Sequence, residues 1–74
     1  MRIDGHYDSE ADIVWLPFEG YEPKRVLGEE VEFGLREIDP ATGSLMGVEY
    51  WHASRVLPDA LLSMLPPPQV AVDA

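Results

Sequence analysis

The chain has 74 residues, 5 Lys and Arg against 14 Asp and Glu, a formal charge of -9, and 46% hydrophobic residues. That length makes one small domain and excludes a multidomain enzyme, and the apolar share excludes wholesale disorder. The charge excludes a direct nucleic-acid binder, which needs clustered Lys and Arg to neutralise phosphates.

With no cysteine, disulfides and thiolate metal sites are impossible. A domain of this size buries only about 60% of the surface its unfolded chain exposes. A partner subunit is then the leading source of extra stability. The opening Met1-Arg2-Ile3-Asp4-Gly5 predicts no signal peptide. The longest apolar stretch, Ile13 to Phe18, falls far below the roughly 18 residues of a membrane span. The expectation is a soluble, cytoplasmic protein without membrane association.

Ile3, Gly5 and Tyr7 alternate with Asp4 and His6, which predicts a strand over 3–7. Asp8-Ser9-Glu10-Ala11-Asp12 reads as a polar turn. Ile13-Val14-Trp15-Leu16-Pro17-Phe18 reads as a strand apolar on both faces, with its ladder weakening at Pro17. A loop follows to Pro23, then a short edge strand over Lys24-Arg25-Val26-Leu27, broken by Gly28-Glu29-Glu30. Val31, Phe33 and Leu35 alternate with Glu32, Gly34 and Arg36, predicting one strand that runs to about Ile38. Asp39-Pro40-Ala41-Thr42-Gly43 is the strongest turn signal in the chain. Leu45 to Trp51 returns as the hairpin partner, with Met46, Val48 and Tyr50 on one face and Trp51 on the other. Pro58 suits a first helical turn, and Leu57, Leu61, Met64 and Leu65 share a stripe that Pro66-Pro67-Pro68 must end. The reading is α+β: an antiparallel β-meander of four to five strands followed by one short C-terminal helix. Residues 1–65 form the domain, and 66–74 a Pro-rich extended or disordered tail.

Two stretches resemble a known family. Tyr7-Asp8-Ser9-Glu10-Ala11-Asp12-Ile13-Val14-Trp15-Leu16 is similar to the Y-D-P-E-A-D-x-L-Y-I opening of the YuzE-like family of small bacterial proteins, a domain of unknown function. Gly43-Ser44-Leu45-Met46-Gly47-Val48-Glu49-Tyr50-Trp51-His52-Ala53-Ser54 resembles its second motif, G-x-x-V-G-I-E-I-L-D-A-S. Ser9 replaces the usual proline and His52 the usual aspartate. The resemblance implies a β-meander plus helix and no established activity. Some relatives are encoded beside small toxin-like proteins, which implies an antitoxin role.

Several residues invite chemistry. Asp8, Glu10, Asp12 and Glu19 fall at calcium-loop spacings, but Ile13 occupies the position that needs glycine. The competing reading makes them a solvated turn in which Asp8 caps local amides. His6 and His52 would supply zinc ligands if the first and last strands were neighbours, with Asp4 or Glu49 beside them. His52 and Ser54 share a face if the last strand continues, yet no G-x-S-x-G elbow accompanies them. Glu29, Glu30 and Glu32 read as a solvated edge. Core packing accounts first for Trp15 and Tyr50.

The reading favoured is a non-enzymatic, homodimeric protein-interaction module with no cofactor. Its candidate interface residues are Trp15, Trp51 and Phe18, because nothing in the chain obviously covers the second face of the Ile13–Phe18 strand. The alternatives are an antitoxin-like protein that neutralises a basic partner, and a small metal-binding protein or enzyme using His6 and His52.

Overall fold

The computed structural model describes residues 5–68. Within them, five antiparallel strands form one sheet: β1 (His6–Asp8), β2 (Ile13–Pro17), β3 (Leu27–Val31), β4 (Gly34–Ile38) and β5 (Leu45–Trp51). Two single-turn helices follow, α1 (Ala53–Val56) and α2 (Asp59–Leu62). The α+β class and the antiparallel sheet are as the sequence predicts. Ile3 and Asp4 of the expected first strand, and 69–74 of the expected tail, lie outside the described residues.

The spatial order is β1-β2-β5-β4-β3. β3, β4 and β5 run as a meander, and β5 then pairs with β2. The last strand is therefore central, and β2 separates it from β1. Among the described residues, no helix is long and apolar enough to cross a membrane.

Local chemistry closes two of the turns. Asp8 Oδ1 accepts the amides of Glu10 and Ala11 at 3.0 and 3.1 Å, which fixes the β1–β2 turn. The Asp39 carbonyl accepts the Gly43 amide at 2.7 Å, and Asp39 Oδ1 accepts the Ala41 amide at 2.9 Å. These bonds make the predicted β4–β5 turn.

The middle of the chain departs from expectation. Lys24 and Arg25 belong to a 3₁₀ turn, Pro23–Arg25, and not to an edge strand. Gly28-Glu29-Glu30 lies inside β3 and breaks nothing. Val31 to Ile38 is two strands, because Val31 pairs with Gly34 and the chain reverses at Glu32 and Phe33. The alternation of Val31, Phe33 and Leu35 concealed this turn. Phe33 is instead sheltered by Tyr50, ring centroids 4.8 Å apart. No Asn-Gly or Asp-Gly pair marks the turn, and the positive φ falls one residue later, on Gly34 at 151°. A Cβ there would stand 2.2 Å from the Glu49 carbonyl oxygen, so only glycine fits.

The helical end also differs. β5 stops because His52 takes the left-handed conformation (φ 55°, ψ 45°), and α1 starts at once. His52 and Ser54 therefore do not share an extended face. Pro58 is the N-cap of α2 and not part of its first turn. With the helix split into two single turns, the apolar stripe shifts register. Leu62 and Leu65 are buried, while Met64 is 66% exposed. The core joins Val14, Ala53, Leu62 and Leu65, with Tyr7, Leu16, Tyr50 and Leu57 packed around them. The helical segment thus covers the β1-β2-β5 side of one sheet face. Pro66 belongs to this packed unit, since its carbonyl accepts the Tyr7 amide at 2.9 Å along the outer edge of β1.

Candidate functional site

Period-two alternation splits the sheet into two faces. Tyr7, Val14, Leu16, Val48 and Tyr50 share the face on which the helical segment packs. The opposite face carries His6, Ile13, Trp15, Leu35, Glu37, Glu49 and Trp51, all half-buried. Trp51 thus points away from Val48 and Tyr50, as its place in β5 predicts.

Two carboxylates sit among the rings of this open face, each held by an indole. Trp15 Nε1 donates to Glu37 Oε1 at 2.7 Å, and the Tyr21 hydroxyl donates to Glu37 Oε2 at 2.5 Å. Trp51 Nε1 donates to Glu49 Oε1 at 3.0 Å. In register, Trp15 stands opposite Glu49, and Glu49 opposite Leu35. Gly47 stands opposite Glu37 and leaves room for its carboxylate, because a Cβ at 47 would lie 3.3 Å from Oε1. The Tyr21 ring meets Trp15 edge-on at 5.3 Å, and His6 lies at 5.4 Å from Trp15. Burial, and then the Glu37 carboxylate, push the Tyr21 phenol up to about 12.

No cation balances these acids among the described residues. Arg36 alternates to the other face, where Nη2 pairs with Glu29 Oε1 at 2.7 Å. Lys24, Arg25 and Arg55 are exposed on the 3₁₀ turn and α1.

A second polar cluster ties the β1–β2 turn to α1. Asp12, at φ 58°, accepts the Tyr7 hydroxyl and the Ser54 amide on Oδ1 at 2.7 and 2.9 Å. Its Oδ2 accepts the Ser54 hydroxyl at 2.7 Å, and its carbonyl accepts the Ala53 amide at 2.8 Å. The Ser54 and Tyr7 hydroxyls hold the Asp12 carboxyl below the usual carboxylate range, and the same bond raises the Tyr7 phenol. The Ser54 hydroxyl donates to a carboxylate whose pKa is lowered, a weak base, and no histidine hydrogen-bonds to Ser54 among the described residues. Tyr7, Asp12, Ala53 and Ser54 meet at this cluster.

The other sequence candidates are scattered. With β2 between β1 and β5, His6 and His52 do not become strand neighbours; His6 packs on Trp15, and His52 is exposed at the end of β5. Among the described residues, no three His, Cys, Asp or Glu side chains are placed to hold a metal ion. Asp8 and Asp12 are committed to the turn, and Ile13–Pro17 stays in the sheet, so the calcium spacing does not form a loop. Phe18 lies just past β2 at 41% exposure, and alternation sets it opposite Trp15. Trp15 and Trp51 do share one face. Sequence reading missed Glu37, weighed Glu49 only as a zinc ligand, and did not place Tyr21 on this face. Strand parity was the available signal, since Glu49 and Trp51 are two apart on β5, and Leu35 and Glu37 two apart on β4.

No protein-family model matches the chain, and comparison with curated proteins and with solved structures found no significant match.

Proposed function

We propose that this protein is a non-enzymatic protein-interaction module whose open sheet face docks a basic protein partner. The observation that carries the reading is the pairing of Trp15 and Trp51 with the carboxylates of Glu37 and Glu49, which no cation balances among the described residues. Half-buried indoles supply apolar area and a polar edge, the usual chemistry of interface anchors. A charge of -9 steers a basic partner toward the chain. An antitoxin that masks a basic toxin would use this same face.

The homodimer expected from the small core is the competing reading. A second copy laid on this face would bring Glu37 and Glu49 against like charges in a desolvated contact, which is costly. Light scattering coupled to gel filtration separates the two. A species of 8.3 kDa at micromolar concentration supports the basic-partner reading. A stable species of about 17 kDa that Trp51→Ala dissociates would overturn it in favour of a second copy. Capture from native lysate then identifies the partner. It should be a basic protein whose affinity falls at least about tenfold with Trp51→Ala, the loss expected of a central anchor. Unchanged capture by both Trp15→Ala and Trp51→Ala would move docking off this face.

A further inference from the structure

Resting on that docking reading, we propose that the centre of the open face is an arginine pocket, in which a guanidinium of the basic partner lies against Trp15 between Glu37 and Glu49.

Three features of the face converge on this chemistry. The first is spare acceptor capacity. An ionised carboxylate offers about four lone-pair sites. Glu37 uses one site on each oxygen, for Trp15 and Tyr21, and Glu49 uses one site for Trp51. Among the described residues nothing else takes the remaining sites, so both carboxylates keep acceptors for an incoming donor. The second is spacing. Leu35 pairs with Glu49 and Glu37 with Gly47, so the two acids are diagonal neighbours across β4 and β5. Diagonal positions lie about 7–8 Å apart on a sheet, a gap that a planar group with five donors can bridge. The third is fixed orientation. Both carboxylates are held by indole N–H groups before any ligand arrives, which lowers the ordering cost of binding.

The surrounding rings select arginine over lysine. Trp15 lies directly across from Glu49 and is bonded to Glu37. A guanidinium stacks on an indole and donates in its own plane to both acids, whereas an ammonium is a compact, strongly hydrated point charge. Beside Trp15, a groove of about 400 Å³ lined by Gly5, His6, Trp15, Pro66 and Pro67 gives apolar walls to the stem and to flanking residues. A divalent cation fits less well, because the acids are already engaged by N–H and O–H donors and lack a third ligand among the described residues.

The test uses a short Arg–Gly repeat peptide and its Lys–Gly counterpart, titrated into the full chain with tryptophan fluorescence and calorimetry. The Arg peptide should bind at least about tenfold tighter than the Lys peptide. Glu37→Gln combined with Glu49→Gln should weaken it at least about tenfold. Glu10→Gln combined with Glu32→Gln makes the same charge change on exposed turns and should cost less than about twofold. Equal binding of the two peptides, or an equal loss in the turn variant, would reduce the effect to net charge and overturn the pocket. If circular dichroism shows the double variant unfolded, Glu49→Gln alone, which keeps an acceptor for Trp51, is compared with Glu10→Gln. A natural partner lost with Trp51→Ala but indifferent to Glu37→Gln and Glu49→Gln would overturn the pocket while the docking reading stands.

Discussion

Ser54 closes on Asp12 with both of its donors, the amide 2.9 Å from Oδ1 and the hydroxyl 2.7 Å from Oδ2. The two residues are 42 positions apart, and their contact joins the β1–β2 turn to the first turn of the helical segment. Each neighbouring bend takes a left-handed non-glycine residue, Asp12 on one side and His52 on the other. Such a conformation is unfavourable for a side-chain-bearing residue. The bonds from Tyr7, Ala53 and Ser54 to Asp12 offset that cost and fix where α1 starts.

Asp12 makes stability fall in acid. Its folded pKa lies below the ordinary 3.8 because Ser54 and Tyr7 donate to the ionised form. A lowered folded pKa contributes stability that is complete above the unfolded value and is lost as the pH falls through the folded one. Denaturant unfolding measured from about pH 6 to about pH 2 should show a steeper loss for the wild type than for Asp12→Asn. Parallel curves would mean that Asp12 carries no linkage.

Tyr21 gives the opposite sign at high pH. Its phenol is raised to about 12 by burial and by Glu37. A raised pKa contributes stability that is present below the ordinary 10.0 and is lost as the pH climbs through the folded value. Phenolate absorbance should show a late ionisation near 12 that Tyr21→Phe removes. Persistence of that phase in the variant would assign it to another tyrosine.

Two glycines with positive φ should respond unequally to alanine. At Gly43, φ is 75° and a Cβ meets nothing within 4 Å, so Gly43→Ala should cost about 1–2 kcal/mol of backbone strain alone. At Gly34, φ is 151° and a Cβ would stand 2.2 Å from the Glu49 carbonyl oxygen. Gly34→Ala should therefore cost more than Gly43→Ala, by at least about 2 kcal/mol, as the β4–β5 ladder is pushed apart. Urea midpoints at constant slope measure the difference. Equal costs would mean that the β3–β4 turn can relax.

In the helical segment, Leu62 and Met64 test the register directly. Leu62 is 8% exposed in the core and Met64 is 66% exposed. Leu62→Ala should cost about 2–4 kcal/mol and Met64→Ala within about 0.5 kcal/mol. A reversed order would restore the continuous helix that the Leu57, Leu61, Met64 and Leu65 stripe suggests.

The sequence by itself determined what depends on near neighbours. The Asp39–Gly43 turn was legible because its bonds, from Gly43 and Ala41 to Asp39, close within five residues. Asp8 was legible as a cap for the same reason. Alternation placed Trp51 opposite Tyr50, since parity is a property of one strand. Tertiary structure alone decided which strand lies beside which, because a period-two pattern assigns a face and leaves the neighbour open. It alone could place β5 between β2 and β4, keep His6 from His52, and set Gly47 under Glu37. The Glu32–Phe33 reversal escaped local reading because Phe33 finds shelter against Tyr50, 17 residues further along, and not through its own strand. The site is tertiary in the same sense. Glu37 is reached by Trp15 from 22 residues away and by Tyr21 from 16, distances in sequence across which composition and spacing carry no information about contact.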